Sequence, residues 1–401
     1  MPTVRFYYDI VCPYAYIAST RIEACAQAAG ADVQWCPVLL GGIYKHWKAP
    51  QLPTDTWAQT RVEQGRLDLI RQAAWRGVPL HHHPQHPLRT VSAMRLLIAT
   101  PQAARPALSK ALFAAYWVDN QDITDRGVLD ALARAHGVDP AVIDSSTARE
   151  ALYASTDEAI EAGAFGVPSM VVGERMWWGQ DRLHMVAAAL GKPRPQAQKT
   201  RPSKIKEITF FHDFASPFSY LGATQIANLA QRYGVTVQWC PILLGALFRD
   251  IGTPNVPLLA MNEAKQRHMM RDLHDWSQWW GVPFQFPSTF PVRSVLPLRV
   301  SILEPRAIAP LYHALWAQGQ DIGQPEVVRA VLTEHQLDHT LIEQTQQPEV
   351  KAQLLANTTR ARSTGVCGVP TVEVDGQLIW GQDRLDMLEA IFRGEFVLPP
   401  V

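Results

Sequence analysis

The chain has 401 residues, in which 37 Lys and Arg are balanced by 37 Asp and Glu. With no basic surplus to displace counterions, the charge balance argues against a phosphate-backbone binder, and 47% apolar residues suffice for two ordinary cores rather than one. No stretch has the uninterrupted apolar length of a membrane span, so neither nucleic acid nor membrane is an expected partner.

The N-terminus, "MPTVRFYYDIVCP", runs into strand-like alternation with no charged leader. Its "TVRFYYDI" predicts a first strand. "PYAYIASTRIEACAQAAG" (13–30) then predicts a helix, with Pro in its first turn and Gly at its far end. "ADVQWCPVLL" (31–40) reads as a second strand, and residues from about 54 to 163 carry mostly helical periodicity. "SMVVGERMWW" (169–178) predicts a short hairpin around a glycine, and "GQDRLHMVAAALG" (179–191) a closing helix. The order is βαβ, helical block, ββα. It predicts an α/β fold: a thioredoxin-like sheet carrying a large helical insertion.

The same order then repeats. "VQWCPVLLGG" (33–42) returns as "VQWCPILLGA" (237–246), and "HPLRT" (86–90) as "FPVRS" (290–294). "FGVPSM" (165–170) returns as "CGVPTV" (367–372), and "WGQDRL" (178–183) recurs unchanged at 380–385. So constant an offset marks duplication of a whole domain rather than a solenoid. "GKPRPQAQKTRPSKIKE" (191–207) is rich in Pro, Lys and Arg and poor in apolar residues, and reads as a linker. The expected organisation is two tandem thioredoxin-like domains, 1–190 and 208–397, joined by 191–207.

The copies differ at one telling place. "DIVCPYAY" (9–16) lies on "DFASPFSY" (213–220), so that Cys12 corresponds to Ser216, each before a proline that opens a helix. These stretches, with "GVP" and "WGQDRL" in order, make each copy resemble the 2-hydroxychromene-2-carboxylate isomerases and kappa-class glutathione transferases, relatives of the disulfide oxidoreductase DsbA. The resemblance implies glutathione as cofactor. It places Ser216 against the glutathione sulfur, where a hydroxyl and a helix N-terminus together favour the thiolate. Val167–Pro168 and Val369–Pro370 match a cis-proline turn that holds the cysteinyl segment through the backbone. Gln180, Asp181 and Arg182, with Gln382, Asp383 and Arg384, match residues that meet the γ-glutamyl end.

Each of these residues has a plainer reading. Ser216 is also a good helix cap, and Asp181 and Asp383 would cap a helix while Arg182 and Arg384 face water. Cys12 is a poor cap. A thiol at a helix N-terminus is expected to have a lowered pKa and to be a usable nucleophile, although Ala15 stands where a DsbA-type enzyme carries its second cysteine. Cys12 either forms a mixed disulfide with glutathione, neighbours its sulfur, or is a small buried residue in an inactive copy. Cys36 and Cys240, on strands, read as buried structural thiols.

Two departures bear on substrate. The Asn that the family often has after the second strand is absent, with Lys48–Ala49 and Gly252–Thr253 in place and Asn255 nearby. Arg89 and Arg293 stand where an Asn is common, and offer charge to an acidic substrate. "HHHPQHP" (81–87) lacks metal-ligand spacing and reads as a solvated loop, so no metal is expected. "WSQWWGVPF" (276–284) either walls a hydrophobic cleft or packs into the core.

The resemblance implies a glutathione-dependent isomerase or transferase acting on an aromatic or unsaturated keto acid or another small electrophile. A thiol–disulfide or deglutathionylating enzyme using Cys12, and a non-catalytic glutathione-binding protein, are the alternatives. Five cysteines, odd in number and never in a CxxC pair, point to a reducing cytoplasm. Because relatives of this kind pair as dimers, a fused tandem is expected to imitate one within a single chain.

Overall fold

The computed structural model describes residues 1–194 and 202–400; the rest of the expected linker, 195–201, lies outside the described residues. Two compact units emerge. The first comprises Met1–Asp55, the stretch from Leu69 into the linker, and Asn262–His268; the second comprises Thr56–Asp68, the stretch from the linker to Met261, and Met269–Val401.

Each unit is built on a four-stranded sheet. In the first, β1 (Thr3–Tyr8), β2 (Asp32–Pro37), β3 (Ser169–Val172) and β4 (Arg175–Trp178) lie in the order β2-β1-β3-β4. β1 runs parallel to β2, with Phe6 opposite Trp35, and antiparallel to β3, with Phe6 opposite Met170. The second unit repeats this with β5 (Glu207–His212), β6 (Thr236–Pro241), β7 (Thr371–Val374) and β8 (Gln377–Trp380), in the order β6-β5-β7-β8. A parallel pair needs a helical crossover and an antiparallel pair only a tight turn. The sequence supplies both, a helix between β1 and β2 and a turn at Gly173 (φ +58°) between β3 and β4.

Phe6, Tyr7 and Tyr8 are consecutive and all fully buried, so β1 is covered on both faces. Phe6 stacks on Tyr8, and Trp35 meets both rings edge-on at 5.1 and 5.2 Å. In the second unit Phe211, Cys240, Leu247 and Val369 form one buried cluster beneath β5. Full burial of one such aromatic is worth about 2–3 kcal/mol.

The helical insertions are fastened to the sheets through tryptophan. Trp117, ending the Arg105–Trp117 helix, donates its indole N–H to Ile10 O at 2.8 Å. Trp316, ending the Ile308–Trp316 helix, donates to Phe214 O at 2.8 Å. Both indoles therefore grip the loop that leads into the paired Cys12 and Ser216 turns.

One expected element differs. The helix over 13–30 is broken into Pro13–Ser19 and Ile22–Gln27, whereas its counterpart Pro217–Tyr233 is continuous and ends at Gly234 (φ +66°). Ser19 and Thr20 donate their hydroxyls to Tyr16 O and Ile17 O, and two successive back-bonds compete with the helical ladder. In the second copy Ala223 replaces the serine, and the helix continues.

Candidate functional site

The first turn of the Pro217–Tyr233 helix begins at Ser216, which has extended backbone angles and is 5% exposed. Its Oγ accepts the Ser219 amide at 3.2 Å and donates to Val369 O, also at 3.2 Å. Ser216 is thus a cap, and it also spans the gap to the cis Val369–Pro370 bond. A hydroxyl has one proton to give. Turning that proton toward a ligand sulfur would free the Val369 carbonyl for a ligand N–H while leaving the cap in place.

Cys12 occupies the same place in the first unit, and its Sγ donates to Val167 O at 3.2 Å, beside the cis Val167–Pro168 bond. Here the expectation of a lowered pKa is corrected. Burial pushes the Cys12 thiol up to about 12; the amides of Ala15 and Tyr14 act against this and the charge of Asp9 adds to it. Desolvation of a nearly enclosed thiolate outweighs two amide dipoles, which disfavours the ionised form of Cys12. Cys36 and Cys240 are likewise buried, their thiols raised by burial to about 12 and about 11.

The two "GQDR" segments form tight single turns, Gln180–Arg182 and Gln382–Arg384, ahead of the helices Leu183–Ala189 and Leu385–Phe392. Gly179 and Gly381 each have φ +107° and donate their N–H to Pro168 O and Pro370 O at 2.9 Å, tying each turn to its cis-proline loop. At Gly381 an added Cβ would stand 2.6 Å from Asp383 Oδ1, so only glycine fits. The aspartates are not helix caps. Asp181 pairs with Arg182 at 3.0 Å and Asp383 with Arg384 at 3.2 Å.

Arg384 does not face water. It makes a two-pronged bond to Asp68, Nε to Oδ1 at 2.6 Å and Nη2 to Oδ2 at 2.8 Å, within the second unit. Gln382 is 2% exposed, and its Oε1 is buried with no hydrogen-bond partner among the described residues. In the first unit Gln180 is instead engaged, donating to Gln72 Oε1 at 3.1 Å and accepting from Arg21 at 3.2 Å. The second unit thus leaves an acceptor open where the first closes it. Arg89 and Arg293 are exposed, each one residue before a hydroxyl residue, Thr90 or Ser294, that bonds a buried carboxyl.

Sequence reasoning passed over several residues. Asp9 and Asp213 are almost fully buried at the ends of β1 and β5. Asp213 accepts the Ala215 amide at 2.9 Å, the Leu244 amide at 2.8 Å and the Ser294 hydroxyl. Asp9 holds Val11, Leu40 and Thr90 in the same way. Burial raises both carboxyls, against those hydrogen bonds. Their role is positioning: each fixes the turn before the Cys12 or Ser216 helix. The signal lay in the aspartate common to "YDIVCP" and "HDFASP". Arg61 and Gln64 were missed because the sequence assigns them to the other half of the chain. In the second unit Arg61 lies over Trp57 at 4.2 Å and Trp380 at 5.9 Å, and Gln64 donates to Gly365 O. The first unit has Lys265 over Trp178 at 5.5 Å and His268 against Phe165.

Asn255 reaches toward the start of the Leu244–Ile251 helix, its Oδ1 2.9 Å from where a Cβ on Gly245 would sit. The aromatic run is divided, with Trp276 in the core and Phe284 stacked on Trp316 at 6.0 Å. Among the described residues no group of three or more His, Cys, Asp or Glu is placed to hold a metal ion, and no helix is long and apolar enough to cross a membrane.

A cis-proline loop facing a helix N-terminus on a β2-β1-β3-β4 sheet with a helical insertion is the DsbA-like arrangement of the thioredoxin fold. The model of the DsbA-like thioredoxin domain matches residues 3–191 and 207–393, and the chain belongs to that family, with one member in each half. A 2-hydroxychromene-2-carboxylate isomerase of Sphingobium xenophagum is 32% identical over 198 residues, 46% of this chain and 97% of the relative. Glutathione S-transferase kappa 2 of Caenorhabditis elegans is 29% identical, covering 47% of this chain and 94% of the relative. A solved 2-hydroxychromene-2-carboxylate isomerase aligns with a TM-score of 0.41 at 25% identity, over 47% of this chain and 94% of that one. Within the family the chain is thus similar to the isomerases and kappa-class transferases, and it is an enzyme of this kind.

Proposed function

We propose that the second unit binds glutathione and uses it as the cofactor of an isomerase acting on an unsaturated keto acid. The observation that carries this reading is the Ser216 hydroxyl, buried between a helix N-terminus and the Val369 carbonyl of the cis-proline turn. The backbone of Val369 takes the cysteinyl segment in the manner of an added strand. The "GQDR" turn takes the γ-glutamyl end, with the open Gln382 Oε1 available to an ammonium group.

In the reaction the glutathione thiolate adds to the conjugated carbon of the substrate. The carbon–carbon double bond becomes a single bond and its electron pair moves onto the keto oxygen as an enolate. Rotation follows, then collapse of the enolate and expulsion of the thiolate, so that glutathione is regenerated and no external reductant is needed. Ser216 donates to the thiolate whenever it is free, and Arg293 offers its charge to the substrate carboxylate from the rim.

Burial of Cys12, which disfavours its thiolate, and Ala15 in place of a second cysteine speak against a redox reading of the first unit. Five unpaired thiols fit a reducing, cytoplasmic setting. The test is calorimetric titration of glutathione into the wild type, Ser216→Ala and Cys12→Ala, with thiolate ultraviolet absorbance followed on the same samples. Binding and thiolate formation are expected to fail in Ser216→Ala and persist in Cys12→Ala. Absence of binding to the wild type would end the glutathione reading.

A further inference from the structure

The two units carry the same three-ring wall in different chemistry. In the second unit Phe286 and Phe290 lie 4.9 Å apart, and Phe286 meets Trp316 at 5.7 Å. In the first, the equivalent His82 and His86 lie 5.0 Å apart and meet Trp117 at 6.3 and 5.1 Å. The second ring of each pair precedes a cis proline, His86–Pro87 or Phe290–Pro291. The framework is common, and imidazole has taken the place of phenyl.

Contacts at both ends of the segment fix the wall beside the reacting position. At one end Tyr220, one turn into the helix that Ser216 opens, donates its hydroxyl to Pro283 O. At the other end Ser294 bonds Asp213, three residues before Ser216. Between them Phe286 rests on Trp316, whose N–H donates to Phe214 O. The first unit repeats all three ties, Tyr16 to Pro79 O, Thr90 to Asp9 and Trp117 to Ile10 O.

We infer that Phe286 and Phe290 determine specificity, making the second unit the site for substrates with an aromatic ring, which the first unit, with His82 and His86 there, does not take. Both phenylalanines are half-buried, neither being closed off in the core. Offset and edge-on ring contacts favour an incoming phenyl group there. In the first unit the same approach would strip water from imidazole nitrogens, and His86 Nδ1 is already hydrogen-bonded to the Tyr116 hydroxyl at 2.8 Å. The inference rests on the keto-acid reading above and names its substrate class.

The test uses the full chain and two keto acids that share the conjugated double bond, benzylidenepyruvate with a phenyl group and ethylidenepyruvate with a methyl group. Binding of each is measured by calorimetry without glutathione. The wild type is expected to bind the phenyl compound at one site per chain. The double variant Phe286→His with Phe290→His should lose about tenfold in that affinity and leave the methyl compound unchanged. His82→Phe with His86→Phe should gain a second phenyl site. The first unit already holds histidines in this framework, so the fold tolerates the exchange, and near-ultraviolet circular dichroism checks it. No phenyl binding to the wild type, two equal sites there, or an affinity within about twofold in the Phe→His variant would overturn the inference. Failure of the glutathione reading appears separately, as absence of heat in the glutathione titration.

Discussion

At the scale of single residues, burial decides what the chemistry of a side chain amounts to. Ser216 and Cys12 sit in equivalent turns and aim at equivalent carbonyls, yet only the serine works without ionising. Ser216→Ala removes a cap and is expected to lower stability by about 1 kcal/mol, read from the urea midpoint. His212 shows the same rule in the acid range. It is fully buried, and burial pushes its imidazole down to about 3 from an ordinary 6.5. The unfolded chain binds a proton between those values that the folded chain refuses. The stability it contributes is therefore complete above pH 6.5 and is lost as pH falls toward 3, by at most about 1.4 kcal/mol per pH unit. His212→Phe should flatten the dependence of the urea midpoint between neutral and mildly acid pH; an unchanged slope would show that another group is responsible.

At the scale of elements, the functional turns are held from outside themselves. The "GQDR" turn depends on a glycine at φ +107° bonded to the cis-proline carbonyl. Gly381→Ala should cost about 1–3 kcal/mol and weaken glutathione binding by calorimetry, because the turn and the cis-proline loop move together. Much of this scale was legible beforehand. The strands, the hairpins and the helical block follow from periodicity and turn residues. The break at Ser19–Thr20 was not legible, because the competing hydroxyl bonds leave the apolar pattern of the helix unchanged.

At the scale of the whole molecule, the compact units are not the two halves of the sequence. Thr56–Asp68 belongs to the second unit and supplies Asp68 to Arg384, whose side chain is 11% exposed. Removing Asp68 takes both prongs from an enclosed guanidinium that keeps Asp383 beside it, and Asp68→Ala is expected to destabilise the second unit by about 2 kcal/mol. For the same reason residues 208–401 expressed alone should melt below the full chain in calorimetry. If the tandem stands in for a dimer of single-domain relatives, light scattering will give the mass of one chain; a mass of two chains would argue against that idea.

By itself the sequence determined that a domain was duplicated, which family motifs each copy keeps, and that a thiol faces a hydroxyl across the repeat. Those properties are carried by local order and spacing, which survive without a fold. The tertiary structure alone decided that Cys12 is buried where its thiolate is disfavoured, that Asp9 and Asp213 set the turns, that Gln382 is open while Gln180 is closed, and that Asp68 serves the second unit. Each of these depends on which residues, distant along the chain, displace water around a group or pair with it. Burial and pairing are properties of the assembled neighbourhood, and no short stretch of sequence contains them.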